Sequence, residues 1–422
     1  MSWPTTSLGE IALSVRNGIF AKRPTDEASD SSSHILRISA VRAGRVNLDD
    51  SRFVEGLTPE QIEKFSIAPG DLLITRYNGS RALVGTAGVV PAHAQYVIHP
   101  DKLIRVVLDD RRADPRFVNY QLQSPAVRRH LEPRIRTTAG QSGVAGADVR
   151  SIPLVLPGLD EQRRIVEILE DHLSRLDAAD RNLRLALARS EALLTAGLWN
   201  LTHGLSNAER VELQGIAEVR LGRQRSPKNH SGDRMRPYLR AANVDWDSLR
   251  LDDVKEMHFT ETEEQTYRLI SGDILLTEAS GSAAEVGKSA LYSGIPADVC
   301  FQNTLLRVRC HSADPEFVQK FLLAEARAGR FMPAARGVGI NHLGRARLAS
   351  IQIEIPSPDV QLSIVSSCRE LIEAVHVLKG EIESQLKRSQ GLRRSLLAAA
   401  FSGRLTEDAA NPTLLEADLV PA

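Results

Sequence analysis

Cysteine, tryptophan and methionine are scarce in this 422-residue chain, at three, three and four copies, and aromatic residues make up only 5% of it. Cys300, Cys310 and Cys368 are odd in number and stand in no metal-ligand spacing. That excludes a disulfide framework and a thiolate metal site, and reduced thiols in a cytoplasmic protein are expected. No stretch approaches about 18 consecutive apolar residues, which excludes a helix that crosses a membrane. Met1–Arg23 has no apolar run behind a basic start, so no secretory leader is expected. Net charge is missing too, with 53 basic residues against 53 acidic ones. The whole-chain balance therefore argues neither for nor against a polyanionic partner. What remains, 42% hydrophobic and 25% charged residues, is the composition of a soluble protein of roughly two to four domains.

Catalytic constellations are missing as well. No GxxxxGK[ST] occurs, and no GxGxxG opens a helix after a strand. Gly140-Gln141-Ser142-Gly143 and Gly337-Val338-Gly339 read as turns. No Asn-Pro-Pro-aromatic run of an amino-methyltransferase is present, and Gly79-Ser80 and Gly281-Ser282 match no nucleophile elbow. The eleven histidines are scattered; His93 with His99, or His203 with His230, would be metal ligands only by coincidence of folding. The chain reads as one that binds rather than turns over, with no cofactor and no metal.

What is present is a duplication. GDLLITRYNGSRALVG, from Gly70, returns as GDILLTEASGSAAEVG from Gly272, 202 residues on. Leu8, Ile11 and Ala12 answer to Leu213, Ile216 and Ala217. Asp114-Pro115-Arg116-Phe117-Val118 answers to Asp314-Pro315-Glu316-Phe317-Val318. A period this long exceeds the roughly 20–50 residues of solenoid units and marks a duplicated domain pair.

Each half opens as a mixed α/β segment. Strands are predicted at Asp71–Thr75, Leu103–Leu108 and Ile152–Leu156, and again at Asp273–Thr277, Leu305–Val308 and Ile351–Ile355. A helix is predicted after Asp114-Pro115 and after Asp314-Pro315, with Asp as N-cap and Pro at the first turn. After Pro157 and Pro356, apolar residues fall at helical spacing through Ile165, Leu169, Leu173, Leu176, Leu183, Leu187 and Leu194. The second set runs through Ile364, Cys368, Ile372, Val375, Leu378, Ile382, Leu386, Leu392 and Leu396. The reading is α+β: mixed domains over 1–157 and 206–356, long helices over 158–205 and 357–405 forming an antiparallel coiled coil with pseudo-two-fold symmetry, and a flexible tail over 406–422.

Candidate binding residues lie in the loops after the repeated Gly-Asp strand. Arg76 and Arg81 suit guanine edges, Asn78 an adenine edge, and Glu278 a cytosine amine. Tyr77, Ser80, Ser280, Ser282 and Lys288 accompany them. A second surface holds Arg136 and Gln141 in one half and Arg336 and Asn341 in the other, the arginines placed to fix phosphates. Seven basic residues between Arg220 and Arg240 face one acid, Asp233. Among them Arg223, Arg225 and Lys228 are candidates, while Asp245–Glu264 is acidic, so separate patches of opposite sign are expected.

The run Leu156-Pro157-Gly158-Leu159-Asp160-Glu161-Gln162-Arg163-Arg164-Ile165-Val166 resembles the opening of the first spacer helix in the specificity (S) subunits of type I restriction-modification systems. Ile355-Pro356-Ser357-Pro358-Asp359-Val360-Gln361 keeps its Pro and Gln. Arg393-Arg394-Ser395-Leu396-Leu397-Ala398-Ala399-Ala400-Phe401-Ser402-Gly403-Arg404-Leu405 is similar to the family's helix ending, and Ala192–Leu205 is a looser counterpart with Trp199 near the place of Phe401. The resemblance implies two target-recognition domains, each reading half of a split double-stranded DNA site, with no activity of their own. Two methyltransferase (M) subunits would dock on the helices, with Arg163, Arg164, Trp199, Phe401 and Arg404 as candidate contacts, and restriction/translocase (R) subunits would join them. S-adenosylmethionine and ATP would bind those partners. The competing reading is a coiled-coil scaffold that joins two proteins and touches no nucleic acid.

Overall fold

The structure is a computed structural model that describes residues 3–408, apart from 23, 30, 43, 95–96, 139, 281, 283–284 and 333–340. It resolves into two units, Met1–Asn182 with Gln385–Ala422, and Leu183–Ser384. The fold is α+β, and the duplication is visible in four strands of matching order in each main sheet.

In the first unit a six-stranded sheet has the order Ala12–Asn17, Leu103–Leu108, Leu72–Thr75, Ala87–Val89, Gly44–Val46, Val41–Arg42. The second unit has Ala217–Leu221, Leu305–Cys310, Ile274–Thr277 and Ser289–Leu291 in the matching order. Both central strands are buried on both faces, which is why they read as unbroken Leu/Ile runs rather than as alternation. Leu72 and Ile74 face one core with Ile104 and Phe117; Leu73 faces another with Leu36, Val41 and Leu103. A three-stranded sheet flanks each main sheet. An antiparallel pair closes each unit, Thr5–Ser7 with Pro153–Val155 and Glu209–Glu212 with Gln352–Ile355.

The repeated Gly-Asp has a physical origin. Gly70 and Gly272 turn at φ +86° and +89°, a region costly for any residue with a Cβ. Each following Asp is buried and closes that turn: Asp71 accepts from the Ala68 N–H at 2.6 Å, Asp273 from the Ile270 N–H at 2.8 Å. Each also binds an arginine on the next strand, Asp71 to Arg105 Nε at 2.6 Å and Asp273 to Arg309 Nε at 2.6 Å.

Asp114 caps the Pro115–Leu122 helix by accepting from the Arg116 N–H at 2.8 Å, and Asp314 caps Pro315–Arg327 through the Phe317 N–H at 2.9 Å. The long helices run Leu159–Thr202 and Pro358–Phe401, 44 residues each, or about 66 Å at 1.5 Å per residue. Ile165, Val166 and Leu169 sink into the core of the first unit together with Leu396, Leu397 and Ala400. Leu194 and Leu198 enter the second core with Ile364, Val365 and Cys368. Within each unit the two long helices run antiparallel: Asp177 bonds Arg393 at 2.8 Å in the first unit, and Glu191 pairs with Lys379 in the second. A short helix, Arg404–Asp408, follows the second long one and reaches into the segment expected to be tail; 409–422 lie outside the described residues. Among the described residues no helix is long and apolar enough to cross a membrane.

Candidate nucleic-acid interface

The two candidate surfaces of the sequence are a single edge in each unit. Tyr77–Asn78 pairs antiparallel with Gln141–Gly143, which pairs in turn with Arg136–Thr138. The second unit pairs Ala279–Ser280 with Asn341–His342. A small sheet thus carries Tyr77, Asn78, Arg136 and Gln141 together on residues some 60 positions apart in sequence.

The same cross-strand pair is filled in opposite ways. Tyr77 faces Gly143, where an added Cβ would sit 2.2 Å from the tyrosine ring. Ala279 faces His342. The large side chain comes from one strand in the first unit and from the other strand in the second. Behind each edge the anchoring is shared: the Arg76 N–H donates to the Lys102 carbonyl at 2.8 Å, and the Glu278 N–H to the Thr304 carbonyl at 2.9 Å. Scaffold geometry is repeated; side-chain chemistry is not.

Many of the candidates are held by their own unit. Arg76 lies 4.6 Å from the Tyr77 ring centroid, and its Nη1 donates to the Asp101 carbonyl at 3.4 Å. Asn78 Oδ1 accepts from the Ser80 N–H at 2.9 Å, which leaves the amide NH2 to donate outward. Arg81 is clamped, with Nε on Glu132 at 2.6 Å and Nη2 on the Glu132 carbonyl at 2.7 Å. That hydrogen bond holds the Glu132 carboxyl below the usual range. Arg136 and Gln141 are exposed. Glu278 is buried and meets His342 Nδ1 at 2.9 Å. Lys288 is buried between Glu285 at 2.8 Å and Asp245 at 3.4 Å. Ser282 is exposed. Ser280 and Asn341 are described by their strand register alone, and Arg336 lies outside the described residues.

Separate patches of opposite charge do not form in the second unit. Arg223 bonds Glu263 at 2.8 Å, Arg234 and Arg236 grip Glu264 at 3.0 and 2.9 Å, and Arg240 bonds Asp253 at 2.6 Å. The hydrogen bond from Arg236, first among its neighbours, keeps the Glu264 carboxyl below its ordinary range. The acidic stretch lies on the basic one because their strands, Met235–Leu239 and Lys255–His258, are paired. Arg223 is buried over Phe259, while Arg225 and Lys228 remain exposed.

The helix-borne candidates divide likewise. Arg163 and Arg164 are exposed, Arg163 with Asp160 at 3.4 Å. Trp199 stacks on His203 at 3.7 Å, with Arg330 5.1 Å from its ring. Phe401 meets Phe117 edge-on at 5.5 Å, and Arg404 is exposed with Nε on Ser402 Oγ at 3.2 Å. Among the described residues no cluster of His, Cys, Asp and Glu could hold a metal ion. Burial pushes the Cys300 and Cys310 thiols up to about 12 and Cys368 up to about 11, so all three stay protonated and poorly nucleophilic.

Residues 206–388 match the family described as type I restriction modification DNA specificity domain. That match covers most of the second unit, Leu183–Ser384. The chain is 37% identical over 180 residues to the EcoKI specificity subunit of Escherichia coli (strain K12), covering 42% of this chain and 38% of that protein. It is 26% identical over 193 residues to the StySPI specificity subunit of Salmonella potsdam, covering 46% and 41%. These matches span about two fifths of the relatives' own length. By fold, the likeness extends over both units. A chain from a solved structure on complex assembly and conformational transition of the type I R-M system matches 96% of this chain and 98% of its own, with TM-score 0.74 at 19% identity. The HsdS subunit from Thermoanaerobacter tengcongensis matches 96% and 97%, with TM-score 0.54 at 20% identity. The resemblance to type I specificity subunits therefore stands on sequence and on fold.

Proposed function

We propose that this chain is the sequence-reading subunit of a type I restriction-modification complex and performs no chemistry of its own. Each unit reads one half of a bipartite double-stranded DNA site with the edge described above. The observation that carries this is the duplicated edge on like scaffolds with unlike side chains: Tyr77, Asn78, Arg136 and Gln141 in one unit, Glu278 and His342 in the other. Two copies of one frame with different chemistry suit two different half-sites, because base identity is read by side-chain donors and acceptors while backbone contacts only fix the register.

The long helices would fix the distance between half-sites and offer their outer faces to two methyltransferase subunits, with restriction/translocase subunits added to that core. S-adenosylmethionine and ATP would be held by those partners. Linking the two readers raises the effective concentration of each for its half-site, so two modest contacts give one tight one. Such a complex would work in the cytoplasm, where its DNA is.

The test exchanges the Arg76–Arg81 segment for that of a relative and sequences the methylated genome of cells carrying the variant with its partner subunits. One half of the methylated motif should change and the other persist. A motif altered in both halves, or in neither, rules out independent readers.

A further inference from the structure

A cleft of about 480 Å³ opens in the first unit beside the reading edge, and no sequence motif pointed to it. Its walls are apolar, with Ile35, Leu36 and Pro100, and at its mouth stands Phe20 with 72% of its surface exposed. Among the described residues four cations line it against one carboxylate, that of Asp101. Two of the four are neutralised: Arg52 bonds Asp26 at 3.0 Å, and Arg37 reaches Asp50 at 3.6 Å. Among the described residues Arg42 donates to the Val41 and Ile38 carbonyls alone, at 2.7 and 3.2 Å, which orients the guanidinium without cancelling its charge. Lys102 has no carboxylate within ion-pair distance among the described residues.

The cleft is joined to the reading edge through the backbone. The Lys102 carbonyl accepts the N–H of Arg76 and of Tyr77, and the Asp101 carbonyl accepts from the Arg76 guanidinium. The duplication supplies an internal control. Strand register sets Ile19–Pro100 against Arg223–Gln302, and Val41–Val46 against Val244–Leu249. The residues equivalent to Phe20, Arg42 and Lys102 are then Gln224, Asp245 and Thr304. The frame folds without the phenyl ring and without the cations, so the first unit carries them for another reason.

We propose that this cleft seats one nucleotide of bound DNA, its phosphate on Arg42 and Lys102 and its base against Phe20. This deepens, and rests on, the DNA-recognition reading above. An exposed ring over apolar walls with uncompensated cations at the rim is the chemistry of a stacking platform beside a phosphate anchor.

The experiment titrates the full-length chain onto a fluorescein-labelled duplex of mixed sequence, by anisotropy, over a series of NaCl concentrations. Phe20→Ala should weaken binding about fivefold or more, and Phe20→Tyr, which keeps a ring, should bind as wild type. Lys102→Ala should reduce the slope of log K against log salt by about 0.9, and Lys102→Arg should restore it. Arg111→Ala, past the far end of the same Leu103–Leu108 strand, should alter the slope little. Wild-type binding that depends on salt, with Phe20→Ala and Lys102→Ala indistinguishable from it, overturns the cleft and leaves the DNA reading intact. A wild-type chain that binds no duplex at any salt overturns both.

Discussion

Asp273 is fully buried and takes two hydrogen bonds from Arg309, at 2.6 and 2.7 Å, besides the Ile270 N–H. Removing one partner of such a pair strands the other charge, whereas replacing both can be nearly neutral. Asp273→Ala should therefore destabilise the second unit by about 3 kcal/mol, read as a shift in its denaturant midpoint. A second residue sets an acid limb. Burial lowers the His99 pKa from 6.5 to about 4, and the ring Nδ1 lies 2.6 Å from the Phe65 carbonyl. Between those values the unfolded chain binds a proton that the folded chain refuses. Stability is thus fully present above pH 6.5 and falls as pH falls towards 4, by about 1.4 kcal/mol per unit. The equivalent residue in the second unit is Phe301, by the register that sets Pro100 against Gln302. His99→Phe should flatten the loss between pH 6.5 and 5, an effect of about 2 kcal/mol in equilibrium unfolding. An unchanged acid limb would assign it to other groups. Neither role was legible in the sequence, because Asp273 read as the first residue of a strand and His99 as one scattered histidine among eleven; burial and strand pairing gave them their meaning.

At the scale of elements, local signals served well and long-range ones did not. Asp-Pro marked both domain helices, since capping depends on neighbours within three residues. Leu/Ile runs marked the central strands, and uninterrupted periodicity marked both long helices to within a few residues. The candidate edge was visible only as two unrelated loops. Its strands are too short for a periodic signal, and their pairing joins residues far apart in sequence. The charge patches misled for the same reason: composition along the chain shows which charges exist, and only the register of Met235–Leu239 with Lys255–His258 shows that they neutralise each other. The Pro-to-Gln motif has a structural cause beyond resemblance. Gln162, fully buried, accepts the Asp114 N–H at 2.9 Å and donates to the Arg112 and Pro157 carbonyls at 3.0 and 2.8 Å. Gln361 makes the corresponding bonds to Asp314 and Pro356. Each glutamine ties the head of a long helix to the cap of a domain helix. Gln162→Ala would leave those groups without partners and should cost about 2 kcal/mol. The Asp114 amide should then exchange hydrogen faster, while amides of the second unit keep their protection.

For the molecule as a whole, the long helices are the elements whose length would become a distance on DNA. Helix pairing inside each unit constrains any change of length. Asp177 pairs with Arg393 in one unit and Glu191 with Lys379 in the other, so each unit holds a stretch of both helices. A deletion that respects both the pairing and the buried faces must therefore remove a whole heptad from each helix between those pairs, 181–187 from one and 383–389 from the other. Deletion of unmatched lengths would rotate apolar residues out of the seam and unfold the pair, confounding the result. Seven residues shorten each helix by about 10 Å, close to three base pairs at about 3.4 Å each. If the helices set the separation of half-sites, the methylated motif of cells carrying the double deletion should keep both halves and lose about three base pairs between them. A folded variant that methylates the original spacing would show that something other than helix length holds the half-sites apart.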